Sequence, residues 1–383
     1  MNIGFFTDTY VPQINGVVTS ISILTQALER LGHRIYIVAP AIPKYRDTRP
    51  GIFRVPSIRF LFQPEHRVAS PVSLNILRRT AGLGLDVLHA HTPFGLGILA
   101  FQVARARHLP LVQTYHTLFP EYVHYVLGGR VITPGMARRA SAFACNRSDV
   151  VVAPSEKIKE LLLGYGVKRP IRVIHNGLDV ERFQGQPRGH LRSRLGLAEA
   201  EEILLTVGRL GKEKNLEFLI RAFGQVARSR PAARLVIVGD GPERNRLVAL
   251  ATGLGLAQRV LFPGYVAPGE MPQVYADADL FVFASTTEVH PMVLLEALAS
   301  GLPIVAVRDP AVASAVVPGE NGFLIGQGDD DYAQAVLKLL ADEPLRQAMG
   351  QSSRELSRRF SSTTQAEKLV GLYQETIAAT QPP

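Results

Sequence analysis

Short runs of β-branched and aliphatic residues alternate with helix-period stretches along almost the whole chain, and this alternation restricts the fold more than any other feature. Asn2–Thr7 reads as a strand, Ile21–Leu31 as a helix closed by Gly32, and Arg34–Val38 as a second strand. Such a strand–helix–strand unit builds a parallel sheet. Buried strands recur at Val87–Ala90, Leu111–Thr114, Val150–Ala153 and Arg172–Ile174. After about residue 185 a second set begins with a strand over Glu202–Val207 and a helix over Leu216–Arg228. It continues with strands at Arg234–Val238, Val260–Phe262, Leu280–Phe283 and Ile304–Ala306, and with a helix over Arg244–Leu254. The sequence itself does not repeat, only the α/β plan. The 383 residues suffice for two domains. Phe183–Gly189 has linker chemistry, so the predicted domains are 1–185 and 186–362, followed by a C-terminal helix in 363–383.

Composition narrows the class. Hydrophobic residues make up 46% and charged residues 20%, which is globular. The single cysteine, Cys145, allows no internal disulfide and no cysteine metal cluster, and fits a reducing compartment. No apolar run approaches the roughly 18 residues of a spanning helix, and Asp8 interrupts the apolar start, so a cytoplasmic location is expected. The charge is lopsided. Residues 1–180 hold 21 Lys and Arg against 10 Asp and Glu, whereas the remainder holds 21 against 23. The basic half points to an anionic partner, and without a nucleic-acid motif a lipid surface is favoured over nucleic acid.

The most informative stretch runs from Glu288 to Glu296 and on to Pro303. It follows the strand Leu280–Phe283 and opens a helix at Pro291, a residue suited to the first turn. The amides of Met292, Val293 and Leu294 are then expected as open donors at a positive helix end, where a diphosphate or a sugar oxygen binds. Glu288 lies in the loop before the helix, able to accept from sugar hydroxyls. Glu296 leans back toward the helix start and can accept from two ribose hydroxyls. A second loop, Gly208-Arg209-Leu210 with Lys214, follows the strand Glu202–Val207. Two fixed cations there can hold a diphosphate and stabilise the charge that a leaving nucleotide gains, or are simply surface basic residues at a helix start.

In the first half, Gly16 sits between the first strand and helix, where a glycine permits close approach of a ligand or simply makes a turn. There is no complete dinucleotide fingerprint, which disfavours a nicotinamide enzyme. His89, His91 and His116 fall at strand ends. A metal pair from His89 and His91 lacks an evident third ligand, so no metal is expected. His116 can serve a sugar hydroxyl or a structural hydrogen bond.

Taken in order, these segments resemble the retaining glycosyltransferases of family 4 with the GT-B fold. The carriers are the Gly16 loop, His116, Val173–Asp179, Gly208-Arg209 with Lys214, Gly239–Pro242, Phe262–Val266, Glu288 through Glu296, and Gly319–Gly322. The resemblance implies an α/β chain of two Rossmann-like domains whose parallel sheets face each other across a deep cleft. It implies that Arg209 and Lys214 hold the donor diphosphate, Glu288 the sugar, Glu296 the ribose, and the backbone at Tyr265 and Val266 the base. It also implies that the last helix crosses back to the N-terminal domain. Catalytic roles are thereby expected for His116, Glu288, Arg209 and Lys214. Many members carry glycine where this chain has Pro291.

A narrower resemblance, to bacterial diacylglycerol glucosyltransferases, rests on Asp8–Ser20, Glu65–Pro71 and Tyr115–Tyr125. It implies transfer of glucose from a UDP-sugar to a diacylglycerol-like lipid at the inner membrane face, with no metal or other cofactor. Ile58–Arg79 mixes aromatic, aliphatic and basic residues and reads either as an interfacial patch or as a core helix with a basic outer face. Phe60, Phe62, Arg67, Arg78, Arg79 and Tyr122 are the residues expected at the acceptor or membrane. The alternatives are a mannosyl or other sugar transferase acting on an inositol lipid, polysaccharide or soluble acceptor and, more distantly, a sugar-nucleotide epimerase.

Overall fold

A computed structural model describes residues 1–59, 67–122 and 133–380. The chain divides into two compact units. The first is Met1–Gly177 joined by the returning segment from Ser362, and the second is Leu178–Ser361.

The first unit opens with β1 (Asn2–Phe6), α1 (Gly16–Arg30), β2 (Arg34–Pro40) and β3 (Ile52–Val55). A small antiparallel pair, β4 (Ser57–Arg59) and β5 (Arg67–Ala69), precedes α2 (Leu74–Ala81). Then come β6 (Val87–Ala90), α3 (Gly95–Arg107), β7 (Leu111–Thr114), α4 (Phe119–Tyr122), α5 (Pro134–Cys145), β8 (Val150–Ala153), α6 (Glu156–Gly164) and β9 (Ile171–Val173). Seven strands form a parallel sheet in the order β3-β2-β1-β6-β7-β8-β9. Strands β6, β7 and β8 are buried at every residue, as expected for strands covered on both faces.

The second unit contains α7 (His190–Leu195), β10 (Glu202–Val207), α8 (Leu216–Ser229), β11 (Ala233–Val238), α9 (Arg244–Gly253), β12 (Val260–Gly264), α10 (Met271–Ala276) and β13 (Leu280–Phe283). It continues with α11 (Met292–Ala299), β14 (Ile304–Val307), β15 (Gly322–Ile325), α12 (Asp329–Ala341) and α13 (Glu343–Ser357). Its six parallel strands run β12-β11-β10-β13-β14-β15, so the chain reverses direction across the sheet between β10 and β13. Helices α8 and α12 cover one face, where Phe218, Phe223, Tyr332 and Leu339 join one buried cluster with strand residues Leu204, Leu235 and Val282.

The final helix, α14 (Ser362–Thr380), belongs to the first unit. Its Leu369 and Tyr373 pack with Ile21 and Leu28 of α1 and Ile3 and Phe5 of β1. Where the chain leaves and re-enters this unit, a Cβ on Gly177 would lie 2.8 Å from the Ser362 Cα, so only glycine lets the two backbones pass. The linker-like stretch is bound into the second unit. Phe183 meets Tyr275 edge-on at 5.8 Å, and the buried Asp277 accepts from the amides of Gly189, Leu191 and Arg192.

Candidate active site

In an open parallel sheet, ligands bind beyond the carboxyl ends of the strands where the strand order reverses. In the second unit that point lies between β10 and β13, and the expected residues converge there. Arg209 follows β10, and Lys214 ends a 3-10 turn over Lys212–Lys214. Asn215 takes a left-handed φ of 52° and starts α8, and Ser285 Oγ, just past β13, donates to the Glu213 carbonyl at 3.1 Å. These contacts fix the turn against the neighbouring strand end. Lys214 Nζ then donates to Glu288 Oε1 at 2.6 Å, with only 25% and 14% of the two side chains exposed. A pocket bounded by Gly208, Arg209, Lys214, Phe283 and Ser285 opens beside the pair.

The Gly239-Asp-Gly-Pro motif buttresses this loop. Leu210 N donates to Asp240 O at 2.9 Å, and Glu243 N to Leu210 O at 3.0 Å. A Cβ on Gly239 would fall 2.0 Å from Gly208 O, at a φ of +130° closed to other residues, and one on Gly241 would fall 2.6 Å from Leu210 O. The two strand-end loops touch backbone to backbone, which sets where Arg209 starts. Tyr265 and Val266 follow β12. Tyr265 is 51% exposed and Val266 is buried.

Pro291 caps α11 with extended backbone, one residue before the helix. The helix start differs from expectation at Leu294, whose amide donates to Pro291 O at 3.2 Å and so is not an open donor. Its side chain, like that of Met292, is buried in the core. The amides of Met292 and Val293 head the helix. Glu296, one turn further, accepts from the Tyr275 hydroxyl at 2.7 Å on Oε2. Burial raises its pKa to about 7, against the pull of the Tyr275 hydrogen bond and the Arg182 charge. Tyr275 was not singled out from the sequence. The available signal was a tyrosine in the helix preceding a fully apolar strand, where a buried hydroxyl needs a partner.

In the first unit the corresponding reversal lies between β1 and β6. Asn15 caps α1 by accepting from Val18 N at 3.0 Å, and Gly16 follows it, exposed and with open space where a side chain would stand. Asp8, past β1, accepts from Thr92 Oγ1 at 2.7 Å and Leu96 N at 2.9 Å, and so caps α3 from a distance. A Cβ on Gly95 would lie 2.3 Å from its Oδ1.

The three histidines do gather. The His89 and His91 rings stack at 4.1 Å, and His91 Nδ1 lies 3.1 Å from His116 Nε2. His89 stands between Tyr373 Oη and Thr114 Oγ1, each 2.6 Å from a ring nitrogen. Burial lowers all three pKa values, His116 to about 4 and the others well below the ordinary value, so the cluster is neutral at pH 7. In a neutral pair one ring nitrogen donates to the other, so the tautomers of His91 and His116 are coupled. The half-buried His116 lines a pocket with Ser20, His175, Asn176 and Gln365. Among the described residues no group of three or more His, Cys, Asp or Glu side chains is arranged to hold a metal ion.

The expected lipid-facing residues are scattered in their fates. Phe60 and Phe62 lie outside the described residues, as does the side chain of Tyr122. Ile58–Arg79 is not a single helix: its described residues hold parts of the antiparallel β4–β5 pair and most of α2. Arg67 donates from Nε to Ser57 Oγ at 2.7 Å and from the guanidinium to Ser57 O at 2.5 Å, so it staples the hairpin. Arg78 and Arg79 are exposed in the last turn of α2, with Arg79 4.8 Å over the Phe53 ring. Ile58, Val72 and Leu74 are exposed at 72%, 57% and 67%. Among the described residues no helix is long and apolar enough to cross a membrane.

Two parallel-sheet α/β units, the second in nucleotide-binding strand order with cations and carboxylates at its point of reversal, define a glycosyltransferase of the GT-B class. The family models agree: residues 14–182 match Glycosyltransferase Family 4, and residues 188–356 match Glycosyl transferases group 1. The chain is 36% identical over 352 residues to the alpha-monoglucosyldiacylglycerol synthase of Streptococcus pneumoniae, covering 90% of this chain and 79% of that protein. To the synthase of the same name from Acholeplasma laidlawii it is 30% identical, covering 86% of each. The crystal structure of Anabaena HepE in complex with UDP shares the fold, with a TM-score of 0.79 at 22% identity, over 98% of this chain and 100% of that one. The chain belongs to glycosyltransferase family 4.

Proposed function

We propose that this glycosyltransferase moves glucose from UDP-glucose to a diacylglycerol-type acceptor at the cytoplasmic face of a membrane, with retention of configuration and without a metal. The observation that carries the donor half is the Lys214–Glu288 pair at the β10–β13 reversal, with Arg209 on the same loop. On donor binding Lys214 turns to the diphosphate, joined by Arg209, and Glu288 accepts from the sugar hydroxyls it then faces. As the bond from the sugar C1 to the phosphate oxygen breaks, the acceptor oxygen bonds to C1 from the same face. The acceptor proton passes to the departing phosphate oxygen. The two cations stabilise the charge gained by the nucleotide, the task a metal performs elsewhere. His116, held neutral, is the proposed hydrogen-bonding partner for a sugar hydroxyl.

The acceptor half is supported by the two glucosyldiacylglycerol synthases at 36% and 30% identity. Exposed apolar residues (Ile58, Val72, Leu74) and exposed cations (Arg78, Arg79) in the same stretch of chain suit shallow contact with an anionic lipid surface.

A panel of nucleotide sugars offered with diacylglycerol micelles in excess chelator tests the proposal, reading product by mass and anomeric configuration by proton coupling. The expected product is an α-glucosyldiacylglycerol formed from UDP-glucose alone. A β-linked product, a strict need for a divalent cation, or transfer only to soluble acceptors would each refute the corresponding part.

A further inference from the structure

Tyr275 lies on α10 with its side chain wholly removed from solvent, between Phe183 at 5.8 Å and Phe281 at 5.7 Å. For packing alone phenylalanine would serve, since a hydroxyl taken out of water is costly unless it is hydrogen-bonded. This hydroxyl has one proton and two acceptors in reach, Glu296 Oε2 at 2.7 Å and Val293 O at 3.3 Å. The shorter contact, to a carboxylate, takes the proton. Both acceptors sit on the first turns of α11, the helix that begins just after Glu288.

We propose that Tyr275 is a positioning residue for nucleotide recognition: by donating to Glu296 Oε2 it orients that carboxylate to accept the two vicinal hydroxyls of a ribose. A ribose diol asks for two acceptor sites in one plane. An unanchored glutamate turns freely about its last bonds, and part of the binding energy is then spent on stopping it. The Tyr275 bond fixes the carboxylate plane beforehand. It uses one lone pair of Oε2 and leaves Oε1 and the other lone pair for the sugar. Arg182, which donates to the Pro268 carbonyl, adds a positive field that favours the ionised acceptor. The inference rests on the reading of Glu296 as the ribose acceptor.

Calorimetric titration of the full chain at pH 8 with UDP and with its 2′,3′-dideoxyribose counterpart tests it. The wild type should prefer UDP. Tyr275→Phe should lose roughly five- to tenfold of that preference, with the affinity for the dideoxy ligand unchanged. Glu296→Gln should lose at least as much. Equal weakening toward both ligands in Tyr275→Phe, or no change in the preference, overturns the positioning role. If Glu296→Gln keeps the wild-type preference, the ribose reading itself fails, and the inference falls with it.

Discussion

The Lys214–Glu288 pair is open to a test that separates its contribution to the fold from its contribution to chemistry. The side chains meet at 2.6 Å, mostly shielded from water, on loops that follow adjacent strands. In Lys214→Met the Glu288 carboxylate stays in place and loses its cation. Removing the cation from a partly shielded carboxylate costs about 2 kcal/mol. For a unit of this size each kcal/mol lowers the melting temperature by about 2–4 °C, so a fall of roughly 4–8 °C is expected. Glu288→Gln should cost less, because the lysine can still reach solvent and the amide still accepts a hydrogen bond. The double variant Lys214→Met/Glu288→Gln removes both charges of the pair. It should be more stable than the sum of the single losses predicts, by about 1–2 kcal/mol of coupling. Turnover behaves differently. Loss of a cation that stabilises a leaving diphosphate lowers kcat by about 10²–10³, and the double variant regains none of it. Calorimetric melting of the four proteins, set beside kcat/KM for UDP-glucose, reads both quantities. Melting shifts that simply add would refute the coupling, and a Lys214→Met enzyme within a few-fold of wild type would refute the donor reading.

Glu296 gives the site a pH signature. Its pKa is raised to about 7, and its acceptor form is the carboxylate, so nucleotide affinity is full above pH 7 and is lost as pH falls through it. UDP-glucose, whose diphosphate does not titrate in this range, should bind about tenfold more weakly at pH 6 than at pH 8. Glu296→Gln should flatten the profile, and a wild-type affinity constant over the same range would remove Glu296 from the binding step. Gly239→Ala tests the buttress: a methyl 2.0 Å from Gly208 O must push the two loops apart. Donor affinity should fall by about tenfold or more, since a displacement of an ångström suffices for such losses. Unchanged affinity in a folded variant would show that the cation loop holds its place without the second loop.

The parallel strands were legible because burial on both faces leaves a signature that needs no partner to read. Leu280–Phe283, Val150–Ala153 and Glu202–Val207 have the same limits in the structure as in the sequence reading. Strands β3, β4 and β5 were not legible. Ile52–Val55 lies at a sheet edge and most of its residues are only partly buried, while β4 and β5 are three residues each and largely open to solvent. Neither periodicity nor a continuous apolar run marks them. The site residues of the second unit were legible by position, since Arg209 and Glu288 stand just past strands and the ends of adjacent parallel strands are neighbours. Their arrangement was not: Lys214 and Glu288 are 74 residues apart, and only the strand order makes them a pair.

The glycines make the complementary case. In the sequence Gly239, Gly241, Gly177 and Gly322 belong to motifs that carry the family resemblance. In the structure each stands where another backbone passes too close for a Cβ: Gly208 O, Leu210 O, Ser362 Cα and Ile304 O, with the last only 1.9 Å from the atom a side chain would add. A motif can therefore identify this family through the close backbone packing that its glycines allow. At the strand ends of the second unit these close backbone contacts hold the loop that carries Arg209 and Lys214. The first unit carries this further. Its pocket is lined by histidines that burial keeps uncharged, and its α3 helix is capped by Asp8, more than eighty residues earlier in the chain. Neither arrangement is local: the histidines meet because β6 lies beside β7, and Asp8 reaches α3 because β1 lies beside β6. Acceptor recognition built on such a pocket can change through a single buried substitution that leaves every recognisable motif intact.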